Sequence, residues 1–285
     1  MTNESAVLLP PAHVIREIVQ RALAEDIGYG DLTTAATIPA DAVAEGMIIA
    51  RAAGVIAGLP VAAAVFAELS GDICFEPLVI DGASLEPGAT IARISGPARP
   101  ILSGERVALN FLQQLSGVAT ATRLIVEQLS GTRARLLDTR KTVPCLRVLQ
   151  RYAVRVGGGT SHRFNLFDGV LIKENHIAAA GGIEPALARA LAAVGPFTPV
   201  EIEVETLDQL GRAIDAGAHM VLLDNMTPEE MRQAVELANG RVLLEASGDI
   251  TLETARAIAE TGVDFLSSGA LTHSAKALNL SLRLT

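Results

Sequence analysis

Apolar runs that end in a polar or charged residue recur at nearly constant spacing through the C-terminal half of this 285-residue chain. They read LLDTR, VLIKEN, VEIEVET, MVLLDN, VLLEASG and DFLSSGA, and Glu203, Asp224 and Glu245 each lie 21 residues from the next. That interval fits one compact β-loop-α-loop unit. The segments between, LDQLGRAIDAG, PEEMRQAVELANG and LETARAIAETG, are amphipathic helix patterns closed by Gly. Strands alternating with helices predict a parallel sheet. A functional residue at each strand's C-terminal end predicts a barrel with its site on that face. A doubly wound open sheet competes, but no GxGxxG turn follows any strand.

The N-terminal half is different. HVIREIVQRALAE (13–25) places Val14, Ile15, Ile18, Val19, Ala22 and Leu23 on one helical face, and the two glycines of EDIGYGDLTT end that helix. Residues 44–102 read as several strands around one helix, PVAAAVFAELSG. Residues 103–129 return to a long helical pattern interrupted near Ser116-Gly117. The boundary between the N-terminal domain (1–117) and the barrel domain (118–285) is placed there, with the last residues packing back on the first domain.

Charge is distributed unevenly. Nine of the 23 Lys and Arg residues lie between Arg133 and His176 against three acids, Asp138, Asp168 and Glu174. That local balance of +6 stands in a chain of −9. Such an island suits capture of a small polyanion, whereas a nucleic-acid track more often makes a whole domain basic. Aromatics are 3% of the chain, too few for base-stacking platforms. No apolar run approaches a membrane span of roughly 20 residues. The first residues lack the features of a signal peptide, and Cys74 and Cys145 have no metal-ligand spacing. A soluble cytoplasmic protein without nucleic-acid or membrane partners is expected.

Three groups carry candidate chemistry. In VEIEVET, strand geometry puts Glu201, Glu203 and Glu205 on one face. Glu203, beside Asp224 of LLDN, could hold Mg²⁺ or face a developing positive charge. For Glu201 and Glu205 a solvated strand end and an inward carboxylate both remain open. Second, Arg140-Lys141 follows a strand, His162-Arg163 follows a triple glycine, and Lys173 ends VLIK. Those cations match carboxylates and phosphates. Arg147, Arg151 and Arg155 recur at helical spacing, and Arg151 and Arg155 are expected on a solvated face. Third, Ser247-Gly248 and Ser268-Gly269-Ala270 each follow a strand, in the order in which barrels build phosphate cradles.

At these residues the chain resembles the quinolinate phosphoribosyltransferases, or carboxylating nicotinate-nucleotide pyrophosphorylases. The motifs are EDIGYGDLTT, ERVALNFLQQLSGVAT, DTRKTVPCLR, YAVRVGGGTSHR, LIKENHI, EIEVET, LLDNM, LEASGDI and VDFLSSGALTHS, spread in order along the chain. The resemblance implies an N-terminal α/β sandwich domain and an incomplete α/β barrel of seven strands or fewer. It implies transfer of a phosphoribosyl group from phosphoribosyl pyrophosphate to quinolinate with decarboxylation, dependent on Mg²⁺, in a homodimer with a shared site. Arg140, His162, Arg163 and Lys173 would grip the quinolinate carboxylates, with Arg106 and Arg147 reaching in from the partner subunit. Lys141, Glu203 and Asp224 would surround the ribose, pyrophosphate and metal. Ser247, Gly248 and Gly269 would cradle the 5′-phosphate, bordered by His273.

Val143, Cys145, Glu174 and Asp249 depart from the common family pattern. An acid at 249 beside a phosphate cradle is tolerable if it points into the first turn of the following helix. The alternatives within the same fold are a nicotinate-using or a molybdenum-associated paralogue. The dense island favours the dicarboxylate. DGASLEPGATIARISG is similar to turns of lipoyl carrier modules but lacks the Lys that they require.

Overall fold

The protein is described by a computed structural model over residues 7–285; the segment read above as lacking a signal peptide lies partly outside them. In chain order the first half forms α1 (Ala12–Ile27), α2 (Leu32–Thr37), β1 (Val43–Ala50), β2 (Gly54–Val55), α3 (Leu59–Leu69), β3 (Cys74–Pro77), β4 (Ser84–Leu85), β5 (Thr90–Pro97) and α4 (Ala98–Gln128). The second half forms β6 (Arg135–Leu137), α5 (Arg147–Val156), β7 (Val170–Ile172), α6 (Glu174–Ala180), α7 (Ile183–Ala193), β8 (Val200–Val204), α8 (Leu207–Asp215), β9 (Met220–Asp224), α9 (Pro228–Ala238), β10 (Leu243–Ser247), α10 (Ala255–Ala259), β11 (Phe265–Ser267), α11 (Ala270–His273) and β12 (Leu280–Leu284). Two compact units result. One comprises the chain to Arg123 with 142–158 and 271–285, and the other comprises 124–141 and 159–270.

The first unit holds a four-stranded antiparallel sheet of order β12-β1-β5-β3. Residues of β1 alternate, with Gly46, Ile48 and Ala50 buried, as a strand with one covered face requires. α1 buries Ile15, Val19 and Leu23, the stripe expected from the sequence. After Gly28 and Gly30, both at positive φ, Asp31 starts a helix (α2) that the sequence reading did not contain. Its carboxylate accepts the Thr34 amide N–H at 2.9 Å.

The expected break at Ser116-Gly117 is absent: α4 runs uninterrupted for 31 residues. Gly117 serves close packing instead. A Cβ there would lie 2.9 Å from the Lys276 carbonyl carbon and closer still to its oxygen. Arg151 is also corrected, being 4% exposed rather than solvated. α5 is buried nearly all round, through Leu149, Gln150, Tyr152, Ala153, Val154 and Val156. No solvent-facing stripe therefore existed for the arginine spacing to mark. Arg155 is half-buried and donates to the Leu8 carbonyl at 3.0 Å. Beside it the Tyr152 hydroxyl donates to Asp81 at 2.7 Å. Asp81 in turn accepts the amides of Gly58 and Leu59 at the start of α3, at 2.8 and 3.1 Å.

The second unit is a six-stranded parallel sheet of order β6-β11-β10-β9-β8-β7. Each strand from β7 to β11 neighbours the next in sequence, and β6, the first, pairs with β11, the last. That is the order of a barrel, not of a doubly wound sheet, whose strand order reverses. The barrel is incomplete. Where a further strand would extend the sheet beyond β6, one parallel bridge joins Leu137 to Thr160. Helices α8 and α9 begin at Thr206 and Thr227, whose side chains accept the amides of Gln209 and Glu230. They bury Leu210, Ala213 and Ile214, and Met231, Ala234 and Ala238. α10 is shorter than LETARAIAETG suggests, starting only at Ala255.

Candidate active site

Parallel register stacks the interior side chains in rows. Phe265, Glu245, Leu222 and Glu203 are successive cross-strand partners, and Ser267, Ser247 and Asp224 form the row nearer the C-terminal ends. Glu203 therefore lies opposite Leu222, one row below Asp224. Above them opens a cavity of about 340 Å³ lined by Thr139, Arg140, Lys141, His162, Arg163, Leu171, Lys173, Leu222, Glu245, Ser247 and Ser267. It gathers Arg140, Lys141, His162, Arg163 and Lys173 in one place.

The basic stretch is divided between the units, however. Arg147, Arg151 and Arg155 belong to the first unit, the pocket cations to the second. Arg106 and His273 also belong to the first. Arg106 is exposed on α4, and Arg147 Nε donates to Thr142 Oγ1 at 3.1 Å. His273 is exposed, with Nδ1 2.6 Å from Ser274 Oγ.

Within the pocket Lys173 Nζ is ion-paired with Glu203 Oε2. Asp224 is half-buried, and burial first and the Glu203 charge second raise its carboxyl above the ordinary range, against the charges of Lys173 and Lys141. Two neighbouring carboxylates of which one is incompletely neutralised form an oxygen donor set that suits Mg²⁺ together with substrate phosphates. Asn225 Nδ2 donates to Asp224 Oδ2 at 2.9 Å, and the Asn225 amide donates to the Ser247 carbonyl at 2.9 Å. Gly248 lies directly against it. Its φ is +103°, and a Cβ there would meet Asn225 Cγ at 2.8 Å. The glycine in LEASGDI is thus required by conformation and by space.

Asp249 follows at φ +45°, a region Asp tolerates better than most residues. It is exposed, and α10 starts six residues later, so it does not occupy that helix's first turn as expected. Gly269 follows β11 and immediately precedes α11.

In the pocket wall lies a buried cluster that the sequence reading left unresolved. Glu201 is 4% exposed and Glu245 1% exposed, which decides for the inward reading of Glu201, while Glu205 is exposed. His162 Nε2 lies 3.2 Å from an oxygen of each buried acid. Its Nδ1 lies 2.6 Å from the Arg163 amide nitrogen, and its own amide donates to buried Asp138 at 2.9 Å. Burial alone would lower the imidazole pKa, but hydrogen bonding and charge from Glu201 and Glu245 push it up to about 10. Burial, first of all, raises the Glu201 carboxyl as well, against hydrogen bonding from His162. Burial and the charge of Arg140 hold the Arg163 guanidinium below its ordinary range, and its Nη1 donates to the Gly169 carbonyl at 3.0 Å. The period-two spacing of VEIEVET was the available signal for Glu201. No local signal marked Asp138 or Asn225.

Comparison with known proteins gives a consistent result. Residues 118–283 match the family described as quinolinate phosphoribosyl transferase, C-terminal domain, and residues 31–116 the corresponding N-terminal domain. The nicotinate-nucleotide pyrophosphorylase [carboxylating] of Mycobacterium leprae is 46% identical over 275 residues, covering 94% of this chain and 96% of that one. The probable enzyme of the same name from Bacillus subtilis is 43% identical, covering 95% and 93%. The crystal structure of NadC from Streptococcus pyogenes is 42% identical with a TM-score of 0.94, covering 98% of this chain and 99% of that one. The chain belongs to the quinolinate phosphoribosyltransferase family.

Proposed function

We infer that the protein transfers the phosphoribosyl group of phosphoribosyl pyrophosphate to quinolinate with loss of carbon dioxide, giving nicotinate mononucleotide and pyrophosphate. The observation that carries this reading is the gathering of Arg140, Lys141, Arg163 and Lys173 around one 340 Å³ cavity at the C-terminal ends of the barrel strands. Each charge-assisted contact contributes about 1.5–3 kcal/mol, so three or four retain a small dianion that apolar contacts would not. A monocarboxylate such as nicotinate needs fewer cations, which argues against the nicotinate-using alternative.

The residues divide the reaction between them. Arg140, Arg163 and Lys173 hold the two carboxylates and align the ring nitrogen with the ribose anomeric carbon. As the anomeric C–O bond breaks and the C–N bond forms, Glu203 and Asp224 face the sugar's transient positive charge. Lys141, whose charge acts on Asp224, faces the departing pyrophosphate. Glu203 and Asp224 would hold Mg²⁺, which would supply further neutralisation of phosphate charge. Ser247, Gly248 and Gly269 receive the 5′-phosphate. The pyridinium then takes up the electron pair when the ring–carboxylate bond next to nitrogen breaks, and that carbon accepts a proton. No step needs a thiol, so the exposed free Cys74 and Cys145 have no part in it.

A homodimer completes the site in this reading, with Arg106 and Arg147 supplied by the partner subunit. The exposure of Arg106 in a single chain supports it. Two free cysteines, and the absence among the described residues of a helix long and apolar enough to cross a membrane, support a cytoplasmic setting. Steady-state kinetics of Arg140→Ala test the assignment. A raised quinolinate KM with lowered turnover is expected, and wild-type kinetics would overturn it.

A further inference from the structure

A second cavity, of about 330 Å³, opens at the opposite end of the barrel strands. Arg135, Met220 and Phe265, the first residues of β6, β9 and β11, line it together with Asp168 and Glu201. Barrel interiors are ordinarily filled by layers of branched apolar side chains. This cavity is nearly as large as the 340 Å³ pocket above it, and His162 and Arg163 line both. The two buried acids are divided between them, Glu245 lining the upper cavity and Glu201 the lower.

The lower lining carries both signs of charge. Arg135 and Arg163 stand in it with Asp168 and Glu201, and the charges of both acids act on Arg163. Arg135 Nη2 donates to Thr160 Oγ1 at 2.9 Å and Arg163 Nη1 to the Gly169 carbonyl at 3.0 Å, but each guanidinium has five N–H groups to give. Glu201 is the costly member. It is 4% exposed, and its Oε1 accepts no hydrogen bond among the described residues. A donor brought into the cavity beside that oxygen offsets the cost of burying it. Met220 and Phe265 add apolar surface between the charged groups.

We propose that the lower cavity is a second ligand site, for a small zwitterion of amino-acid size. Its carboxylate is held by Arg135 and Arg163, its ammonium by Glu201, and its apolar body lies against Met220 and Phe265. Arg163 serves both cavities, so a carboxylate bound below draws on the same guanidinium as the acid bound above. The ligand therefore weakens quinolinate binding, and quinolinate weakens the ligand's binding by the same factor. The site itself stands apart from the quinolinate reading, on which only its effect on turnover rests.

The test is titration calorimetry of the full-length protein with L-leucine, L-phenylalanine and 6-aminohexanoate, which differ in the separation of their charges, each up to about 10 mM. At least one should bind, and 4-methylpentanoate, which lacks the ammonium, should bind at least about tenfold more weakly. The probe that binds should raise the quinolinate KM about fivefold and then level off, because the two sites are coupled and not shared. Arg135→Gln should abolish both its binding and its effect while leaving the quinolinate KM within about twofold of wild type. Should Arg135→Gln fail to fold, Met220→Trp, which fills the cavity, takes its place with the same expectation. Absence of binding by all three probes overturns the site. So does inhibition that rises without limit or persists in the variant, since the probe then occupies the upper pocket. Failure of wild-type turnover overturns the quinolinate reading instead and leaves the calorimetric result standing.

Discussion

Gly248→Ala strikes the phosphate side of the site through one methyl group. The backbone there has φ +103°, where an L-residue carries a cost of about 1–3 kcal/mol. The new Cβ would sit 2.8 Å from Asn225 Cγ, too close to be accommodated without displacing that side chain. Asn225 then loses its 2.9 Å bond to Asp224, and a hydrogen bond to a charged group is worth about 1.5–3 kcal/mol. The two effects together predict a loss on the order of 3 kcal/mol in urea unfolding. In kinetics the KM for phosphoribosyl pyrophosphate should rise by about tenfold or more, with the quinolinate KM little changed. Gly211→Ala is the matched control. It lies inside α8 with open space at its Cβ position and no positive φ, so it should stabilise by about 0.5–1 kcal/mol. A Gly248→Ala protein with wild-type unfolding and wild-type phosphoribosyl pyrophosphate KM would refute the reasoning.

Further expectations concern single contacts. Tyr152→Phe removes one donor from Asp81 and should cost about 1.5–3 kcal/mol in urea unfolding, leaving the other two acceptor contacts in place. Asp249→Gly relieves a left-handed residue and deletes an acid beside the phosphate loop, so the phosphoribosyl pyrophosphate KM should fall without loss of stability; a rise would contradict it. His162 has a folded pKa near 10 against 6.5 for the free group. Its stabilising contribution is thus fully present below pH 6.5 and lost as pH rises through about 10. The urea-midpoint difference between wild type and His162→Gln should shrink across that window, and a difference that grows would contradict the sign.

The barrel was legible because its signal is periodic. Six strands alternate with helices, β7 to β11 each pair with the next strand in sequence, and polar residues fall at the strand ends. Cations at those ends could likewise be placed in one pocket without knowing any side-chain position. Other features depend on tertiary proximity and leave no trace in local pattern. Gly117 read as a break because glycine weakens helices, yet its purpose is the approach of Lys276, far away in the chain. Arg151 read as solvated because its spacing is helical, yet α5 is buried nearly all round. The contacts of His162 join residues from separate strands, Glu201 from β8 and Glu245 from β10. Strand alternation left open whether Glu201 faces inward and gave neither acid a partner.

Release of carbon dioxide from quinolinate labelled in the carboxylate next to the ring nitrogen tests the central claim most directly. The account predicts label release in step with nicotinate mononucleotide formation, dependent on both phosphoribosyl pyrophosphate and Mg²⁺. Label retained in the product, or equal turnover of nicotinate, would contradict it.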